Sequence, residues 1–410
     1  MYINRTMEKV IIKTDQSFKA ILLTGTRQVG KSTILKHVFP NKKYVTFDDP
    51  LLLAETMNEP GLFFKNNRPP VILDEVRYIG ELFPYIKMEC DKSEEKGLFS
   101  LTGSQQYHLM NNVSESLAGR VAVLELSGLS LREIQGIEFS EPFLPTERYI
   151  EERRKYFQRC DNIWKVIHRG SYPALSDESL DWETFYASYV RTYIERDVNE
   201  LTNVQDKLKF TRFMSALAAR TGQMLNYSAV AAEVEVTVST IKDWISVLEA
   251  SGLIHILQPY SNSAINRAIK TPKVYFRDTG LVCYLTRYQT SETASAGAIA
   301  GNLFETFVVS EILKSYSNAG KDYRLYVSYY RGKDKHPDKE NEIDLIIEEN
   351  GTLYPVEIKL SANPKLSMTD AFDVLDGIPD RKRGTGAIVC MYDDVLWMKE
   401  NIAAIPVEYI

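Results

Sequence analysis

The sequence predicts an α/β domain with a parallel sheet in its first third, then a helical region, then a separate α+β module. Three observations carry this reading. Short apolar runs alternate with longer mixed segments up to about residue 135. A glycine-rich turn, Gly25–Thr33, lies between a strand pattern and a helix pattern. Beyond Ser140 the apolar spacing becomes helical, and strands return only towards residue 410.

Composition sets the bounds. The 410 residues suggest two or three domains at roughly 150 residues each. With 44% hydrophobic and 25% charged residues, disordered, collagen-like and coiled-coil readings of the whole chain fall away. Forty-nine Lys and Arg against 55 Asp and Glu give a net charge of −6, which supports neither a histone-like binder nor a polybasic membrane protein. The four cysteines form no CxxC pair, so no zinc site or disulfide framework is suggested. The N-terminus lacks an apolar signal core, and no stretch approaches the ~20 apolar residues that cross a bilayer. A reducing cytoplasm is the expected compartment, with no membrane partner.

The elements follow in order. AILLTG, KYVTF, PVILDE, LFSLTG and VAVLEL read as strands of a domain spanning 1–139. SEPFLPT, Ser140 to Thr146, carries two prolines and marks a boundary. A helical lid or connector, 140–225, includes FYASYVRTYIERDV. In 226–288 two short helical patterns lead into LIHILQPY, the order of a winged helix-turn-helix. Ser228 is the expected N-cap of the first helix. Ile241, Trp244, Ile245 and Leu248 form the apolar face of the second. The run Gln289 to Gly297 reads as a linker opening the last module, 289–410. That module has a helix, LFETFVVSEILKSY, three strands, RLYVSYY, EIDLIIE and TLYPVEIKL, and a final strand, TGAIVCM.

GTRQVGKST fits the P-loop pattern G-x-x-x-x-G-K-[ST] in the context that its mechanism requires, after a strand and opening a helix. Gly25, Thr26, Arg27, Gln28, Val29, Gly30, Lys31, Ser32 and Thr33 are expected to hold ATP. Backbone N–H groups wrap the phosphates, Lys31 reaches the β- and γ-phosphates, and the Ser32 hydroxyl ligates Mg²⁺. PVILDE ends a buried strand in two carboxylates: Asp74 for the Mg²⁺ shell and Glu75 as general base. At the end of LFSLTGS, Ser104 or Gln105 is either a γ-phosphate sensor or a plain strand-to-turn residue. Arg120, in SLAGR, is either an arginine finger acting across a subunit boundary or a surface arginine.

Thr237, Ser239, Thr240 and Lys242 lie near the start of the second helix, where recognition helices meet DNA, but Glu233, Glu235, Asp243 and Glu249 weaken the electrostatic footprint. Oligomer contact is the competing role. In the last module, Asp344 lies on one strand, and Glu357 and Lys359 lie on the next, after an Asn350-Gly351 turn. Period-2 alternation puts Glu357 and Lys359 on one face. The two carboxylates are then able to bind Mg²⁺ or Mn²⁺ while Lys359 steadies a water or phosphate. A solvated charged strand face and a binding-only relic are the alternatives.

Taken together, GTRQVGKST, VILDE, LTGS, SLAGR, TYIERDV, RTGQMLNYSAVA, PKVYFRDTGL, GNLFETFVVSEI, EIDLI and PVEIK occur in an order that resembles bacterial and archaeal AAA-type ATPases whose C-terminal half is the domain of unknown function 4143. The resemblance covers nearly the whole chain. It implies an α/β P-loop ATPase followed by a winged-helix middle and an α+β tail of the restriction-endonuclease-like, PD-(D/E)xK, fold. It carries ATP contact to Gly30, Lys31, Ser32, Asp74 and Glu75, and a metal site to Asp344, Glu357 and Lys359, with Glu305 on the preceding helix as first ligand. The leading expectation is a Mg²⁺-dependent ATPase that forms homo-oligomers and couples hydrolysis to DNA binding or processing. Its rivals are an ATP-switched scaffold contacting protein, and a nuclease that ATP licenses.

Overall fold

The computed structural model describes residues 2–103, 117–194, 207–261, 271–333 and 340–410. In the N-terminal domain β1 (Ala20–Thr24), β2 (Lys43–Thr46), β3 (Val71–Asp74), β4 (Phe99–Thr102) and β5 (Val121–Glu125) form a wholly parallel sheet in the order β2-β3-β4-β1-β5. Both faces are covered, so β1 is apolar at nearly every position. Ile21 and Leu23 pack with Ile34 and Leu35 on one side, while Ala20 and Leu22 pack with Leu73, Phe99 and Leu101 on the other. Parallel strands align their carboxyl ends. The turns after β1, β3 and β4 therefore share one edge, the usual place for a ligand in such sheets.

Next comes a helical region. Thr146, Asn162 and Asp181 cap the helices Glu147–Arg154, Ile163–Arg169 and Trp182–Tyr189, and a π-helical turn follows at Val190–Ile194. Beyond the helix Lys207–Ala218 lie β6 (Gln223–Met224), the helices Tyr227–Val234 and Val238–Ala250, and then β7 (Ile254–Leu257) and β8 (Lys273–Phe276). The last three strands form an antiparallel sheet, β6-β8-β7. Ile241, Trp244, Ile245 and Leu248 are buried, as their spacing requires. The cap expected of Ser228 belongs instead to Asn226, whose side chain accepts from the Ala229 N–H, because the helix begins one residue before Ser228.

Gln289 to Gly297 is not a linker. Thr290 caps a short helix, Ser291–Ser295, and Ala294 is fully buried. The segment's small residues permit close packing. The C-terminal sheet contains β9 (Val327–Lys333), β10 (Glu340–Glu349), β11 (Thr352–Ile358), β12 (Lys382–Arg383), β13 (Gly386–Cys390), β14 (Leu396–Lys399) and β15 (Ile402–Pro406). Its order is β14-β15-β13-β11-β10-β9, with β12 on β11. Asn350 and Gly351 join β10 to β11 with φ of 51° and 75°, the left-handed pair that a two-residue hairpin needs. The chain does not end its strands at TGAIVCM, since β14 and β15 follow.

The helix Ala300–Asn318 is buried along most of its length and joins all three regions. Glu311 accepts the Leu131 N–H at 2.8 Å and pairs with Lys314 at 2.7 Å, and Lys314 donates to Leu129 O at 2.9 Å. Ser315 Oγ accepts the Phe143 N–H at 3.0 Å. The two-proline segment thus lies against this helix, with Phe143 wholly buried. Thr306 meets Thr221 at 2.8 Å, and Ser310 donates to Phe276 O. Among the described residues no helix is long and apolar enough to cross a membrane.

His255, on β7, is buried beside Tyr323, with ring centroids 5.1 Å apart. Burial, reinforced by the Arg277 and Arg324 charges, pushes its pKa from 6.5 down to about 3. The folded protein keeps this ring neutral while the unfolded chain protonates it. Its contribution is therefore complete above pH 6.5 and is lost as pH falls towards 3, at up to ~1.4 kcal/mol per pH unit. Urea titrations of wild type and His255→Asn should show the variant with the shallower acid loss. Parallel stability-pH curves would reject this assignment.

Candidate functional site

The P-loop curls over the end of β1. Gly25 has φ of 139°, and a Cβ there would collide with the Leu126 carbonyl oxygen. Gly30, at φ 92° and ψ 26°, turns the chain into the helix Lys31–Val38, and a Cβ at Gly30 would meet no atom within 4 Å. The loop is shaped by backbone freedom that only glycine supplies cheaply. Lys31 is buried, and its ammonium donates to Gly25 O at 3.0 Å and Thr26 O at 2.9 Å. Burial pushes its pKa down to about 8, against the pull of Glu75 and Asp74. Incoming phosphate oxygens would restore the charge partners that this ammonium lacks.

Asp74 ends β3 facing the loop. Its Oδ1 accepts from Ser32 Oγ at 2.6 Å and from the Thr102 hydroxyl, and its Oδ2 accepts from Tyr44 OH at 2.6 Å. A serine hydroxyl and a carboxylate joined at the mouth of a P-loop fit a shared Mg²⁺. Glu75 sits at φ 55°, with its N–H donated to Thr102 Oγ1 at 3.1 Å and its Oε2 paired with Arg77 Nε at 2.8 Å. Thr102 therefore fixes both acidic residues, donating to one and accepting from the backbone of the other.

Tyr44, Thr102 and Arg77 escape sequence reasoning. For Thr102 the available signal is a threonine ending the apolar run of β4, two residues before Ser104, which with Gln105 is a sensor candidate. Ser104 and Gln105 lie outside the described residues. Arg120 precedes β5, at the end of the sheet opposite the P-loop, since Ala20 pairs with Val121 and Thr24 with Glu125. Its guanidinium holds Asp91 at 2.6 and 3.1 Å. Within one chain it does not approach the nucleotide site.

The middle region touches the P-loop directly. A Cβ on Gly252, whose φ is 74°, would stand 3.3 Å from Thr26 Cγ2. Arg277, just past β8, pairs with Glu125 at the end of β5 and donates to Ser127 Oγ at 2.7 Å. Thr237, Ser239 and Lys242 are exposed. The Thr237 hydroxyl caps its helix through the Thr240 N–H at 3.1 Å.

Asp344, Glu357 and Lys359 do converge. Asp344 Oδ2 accepts the Ile358 N–H at 2.9 Å and lies 3.4 Å from Lys359 Nζ, which meets Glu357 Oε1 at 2.5 Å. Glu305 comes near but faces a residue that the sequence reading missed: Lys273 Nζ is 3.4 Å from Glu305 Oε1, 2.7 Å from Glu342 Oε1 and 3.7 Å from Asp344 Oδ1. Tyr275 OH donates to Glu305 Oε1 at 2.5 Å. Burial, with Asp344 nearby, pushes the Glu305 carboxyl up to about 7 and that of Glu357 up to about 8. Among the described residues no group of three or more His, Cys, Asp or Glu side chains is placed to hold a metal ion; Glu305 and Asp344 meet Lys273, and Asp344 and Glu357 meet Lys359. Alternation along KVYF was the missed signal, since it puts Lys273 and Tyr275 on one strand face.

Comparison with known proteins follows this division. Residues 17–135 match the AAA domain family, residues 160–292 a domain of unknown function, DUF8612, and residues 300–410 another, DUF4143. Uncharacterized proteins of Mycobacterium tuberculosis and Mycobacterium bovis are each 26% identical over 395 residues, covering 95% of this chain and 80% of theirs. Among solved structures, a Walker-type ATPase of Pyrococcus abyssi is 14% identical, covering 69% of this chain and 96% of its own, with a TM-score of 0.39. The RuvB Holliday junction branch migration motor of Thermotoga maritima is 16% identical, covering 62% and 89%, with a TM-score of 0.30. The sheet order, the P-loop and the family matches together show an AAA-type P-loop domain at the N-terminus and a domain of unknown function 4143 at the C-terminus.

Proposed function

We propose that this protein is a Mg²⁺-dependent ATP hydrolase that couples turnover to DNA handling. The observation that carries the reading is the meeting of Lys31, Ser32, Asp74 and Glu75 at the carboxyl ends of β1 and β3. Bound Mg²⁺–ATP supplies the phosphoanhydride that is cleaved and the divalent charge that polarises it. The residues around it do the rest. Backbone N–H groups of the loop and the helix start receive phosphate oxygens, Lys31 neutralises them, and Ser32 and Asp74 hold the ion. Glu75 accepts a proton from the attacking water once Arg77 yields its carboxylate. Thr102 keeps Asp74 and Glu75 in register.

The Thr26–Gly252 approach and the Arg277–Glu125 pair support coupling, because a change at the P-loop reaches the middle region without an intervening loop. Helix, β6, two helices, β7 and β8 follow one another in the order of a winged helix, and the exposed Lys242 is a candidate phosphate contact. A second reading, a nucleotide-switched scaffold that contacts protein, is favoured by one observation: two lysines already neutralise the C-terminal carboxylates.

Lys31→Ala should abolish ATP turnover, and Glu75→Gln should bind ATP but hydrolyse it very slowly. Thr102→Val should retain its fold and ATP affinity while kcat drops by roughly 10–100-fold, as for other residues that orient a ligand set. Steady-state hydrolysis at the wild-type rate in the first two variants would remove the site assignment.

An Arg120 acting in trans predicts turnover per subunit that rises with protein concentration, and an Arg120→Ala protein that keeps nucleotide affinity but loses rate. A constant rate from a monomer established by sedimentation would discard that role.

DNA binding, measured by fluorescence anisotropy with an ATP analogue, should weaken as salt rises and weaken further in Lys242→Glu. No binding at low salt to duplex, single-stranded or branched DNA would transfer support to the scaffold reading.

A further inference from the structure

We propose that the Lys273 ammonium is the resident cation of the C-terminal carboxylate cluster and stands where a divalent ion would have to sit. The proposal rests on the cluster's own geometry and not on ATP turnover. Glu305, on the helix Ala300–Asn318, and Glu342, Asp344 and Glu357, on strands β10 and β11, gather four carboxyl groups around Lys273 and Lys359. Such a concentration of negative charge persists only when it is neutralised by protons, a metal or basic side chains. Lys273 is 3% exposed and touches three of the four at 2.7 to 3.7 Å.

Its position is set by the backbone. Lys273 is paired on both sides, with Met224 of β6 and Leu257 of β7, so its Cα is held within that sheet and its side chain reaches the cluster from there. The Tyr329 ring, 5.6 Å from the ammonium, lines its path. The middle region thus inserts a fixed positive charge into the C-terminal domain.

Several of the oxygens that a metal would need are committed. Asp344 Oδ1 faces Lys273, while Oδ2 takes the Ile358 N–H and Lys359. Glu305 Oε1 is shared by Lys273 and Tyr275. An ammonium is content with N···O distances near 3 Å, whereas Mg²⁺ demands oxygens at about 2.1 Å and repels a neighbouring cation. One buried oxygen of the cluster stands apart. Glu357 Oε2 is buried with no hydrogen-bond partner, although the residue is 8% exposed. That orphan acceptor, on a carboxylate of the cluster, is what a divalent ion would satisfy if the lysine charge were gone.

Removing the charge should therefore create a divalent-cation site from Glu305, Asp344 and Glu357. Mn²⁺ bound per chain is counted by electron paramagnetic resonance on full-length, nucleotide-free protein, so that the P-loop contributes equally to every sample. Lys273→Met should bind one Mn²⁺ more than wild type, and the added Asp344→Asn change should abolish the gain. In the otherwise unaltered chain, Asp344→Asn should leave the Mn²⁺ count unchanged. A fall in Mn²⁺ on that single substitution would show a native metal site and overturn the proposal. A folded Lys273→Met protein with no gain would overturn it too. Lys273→Gln keeps a polar side chain, and its gain or lack of gain decides in the same way if the methionine variant does not fold. The single Asp344→Asn comparison requires no lysine variant at all.

Discussion

A helix buried on most sides needs partners for the polar groups that it carries, and the helix Ala300–Asn318 carries many. Thr306, Ser310, Glu311, Lys314, Ser315, Ser317 and Asn318 are all nearly inaccessible. Each lost partner for such a group costs on the order of 1–3 kcal/mol. For Thr306, Ser310, Glu311, Lys314 and Ser315 the partners come from distant parts of the chain, Leu129, Leu131 and Phe143 after the nucleotide-binding sheet and Thr221 and Phe276 in the middle region, while Ser317 bonds within the helix and Asn318 Oδ1 has no partner. Hydrogen-bond demand along one helix therefore dictates how the three regions sit against one another. The family boundaries near residues 135, 160 and 300 divide a structure whose interior is continuous.

Strand β8 gains its importance from this arrangement. Its first residue, Lys273, enters the carboxylate cluster, and Arg277, one residue beyond its end, meets Glu125 and Ser127 beside the P-loop strand. Glu125 also receives Arg324 at 3.0 Å, and its carboxyl is held below the usual range by those two guanidinium groups in spite of burial. A short hydrogen-bonded strand does not stretch. It runs here from the carboxylate cluster at one end to Glu125 and Ser127, beside the P-loop strand, at the other.

What the sequence disclosed was local. The P-loop glycines, the apolar run ending in Asp74, the Asn350-Gly351 turn and the buried face of Val238–Ala250 each depend on neighbours within a few residues, and each is found in the structure. Partners supplied across the fold were invisible. Tyr44 reaches Asp74 only because β2 lies beside β3, and Lys273 reaches Asp344 only because two domains dock. Gln289 to Gly297 looked like a linker because small polar residues suit loops as well as tight helix contacts. β15, IAAIP, is rich in alanine, a poor strand former, and is held in place by its pairing with β13 and β14. Asn226 and Ser228 are equally good caps by type, and only the observed helix start separates them.

The four-residue length of β8 also limits how related chains can diverge. Side chains alternate along a strand, so a one-residue insertion or deletion between Lys273 and Arg277 would exchange its faces. Val274 would then be turned towards Glu305 and Asp344, and an ammonium would be turned into the apolar side of the sheet. Length variation in related proteins should accordingly gather elsewhere, while the five positions from Lys273 to Arg277 keep constant spacing even where the residues themselves change.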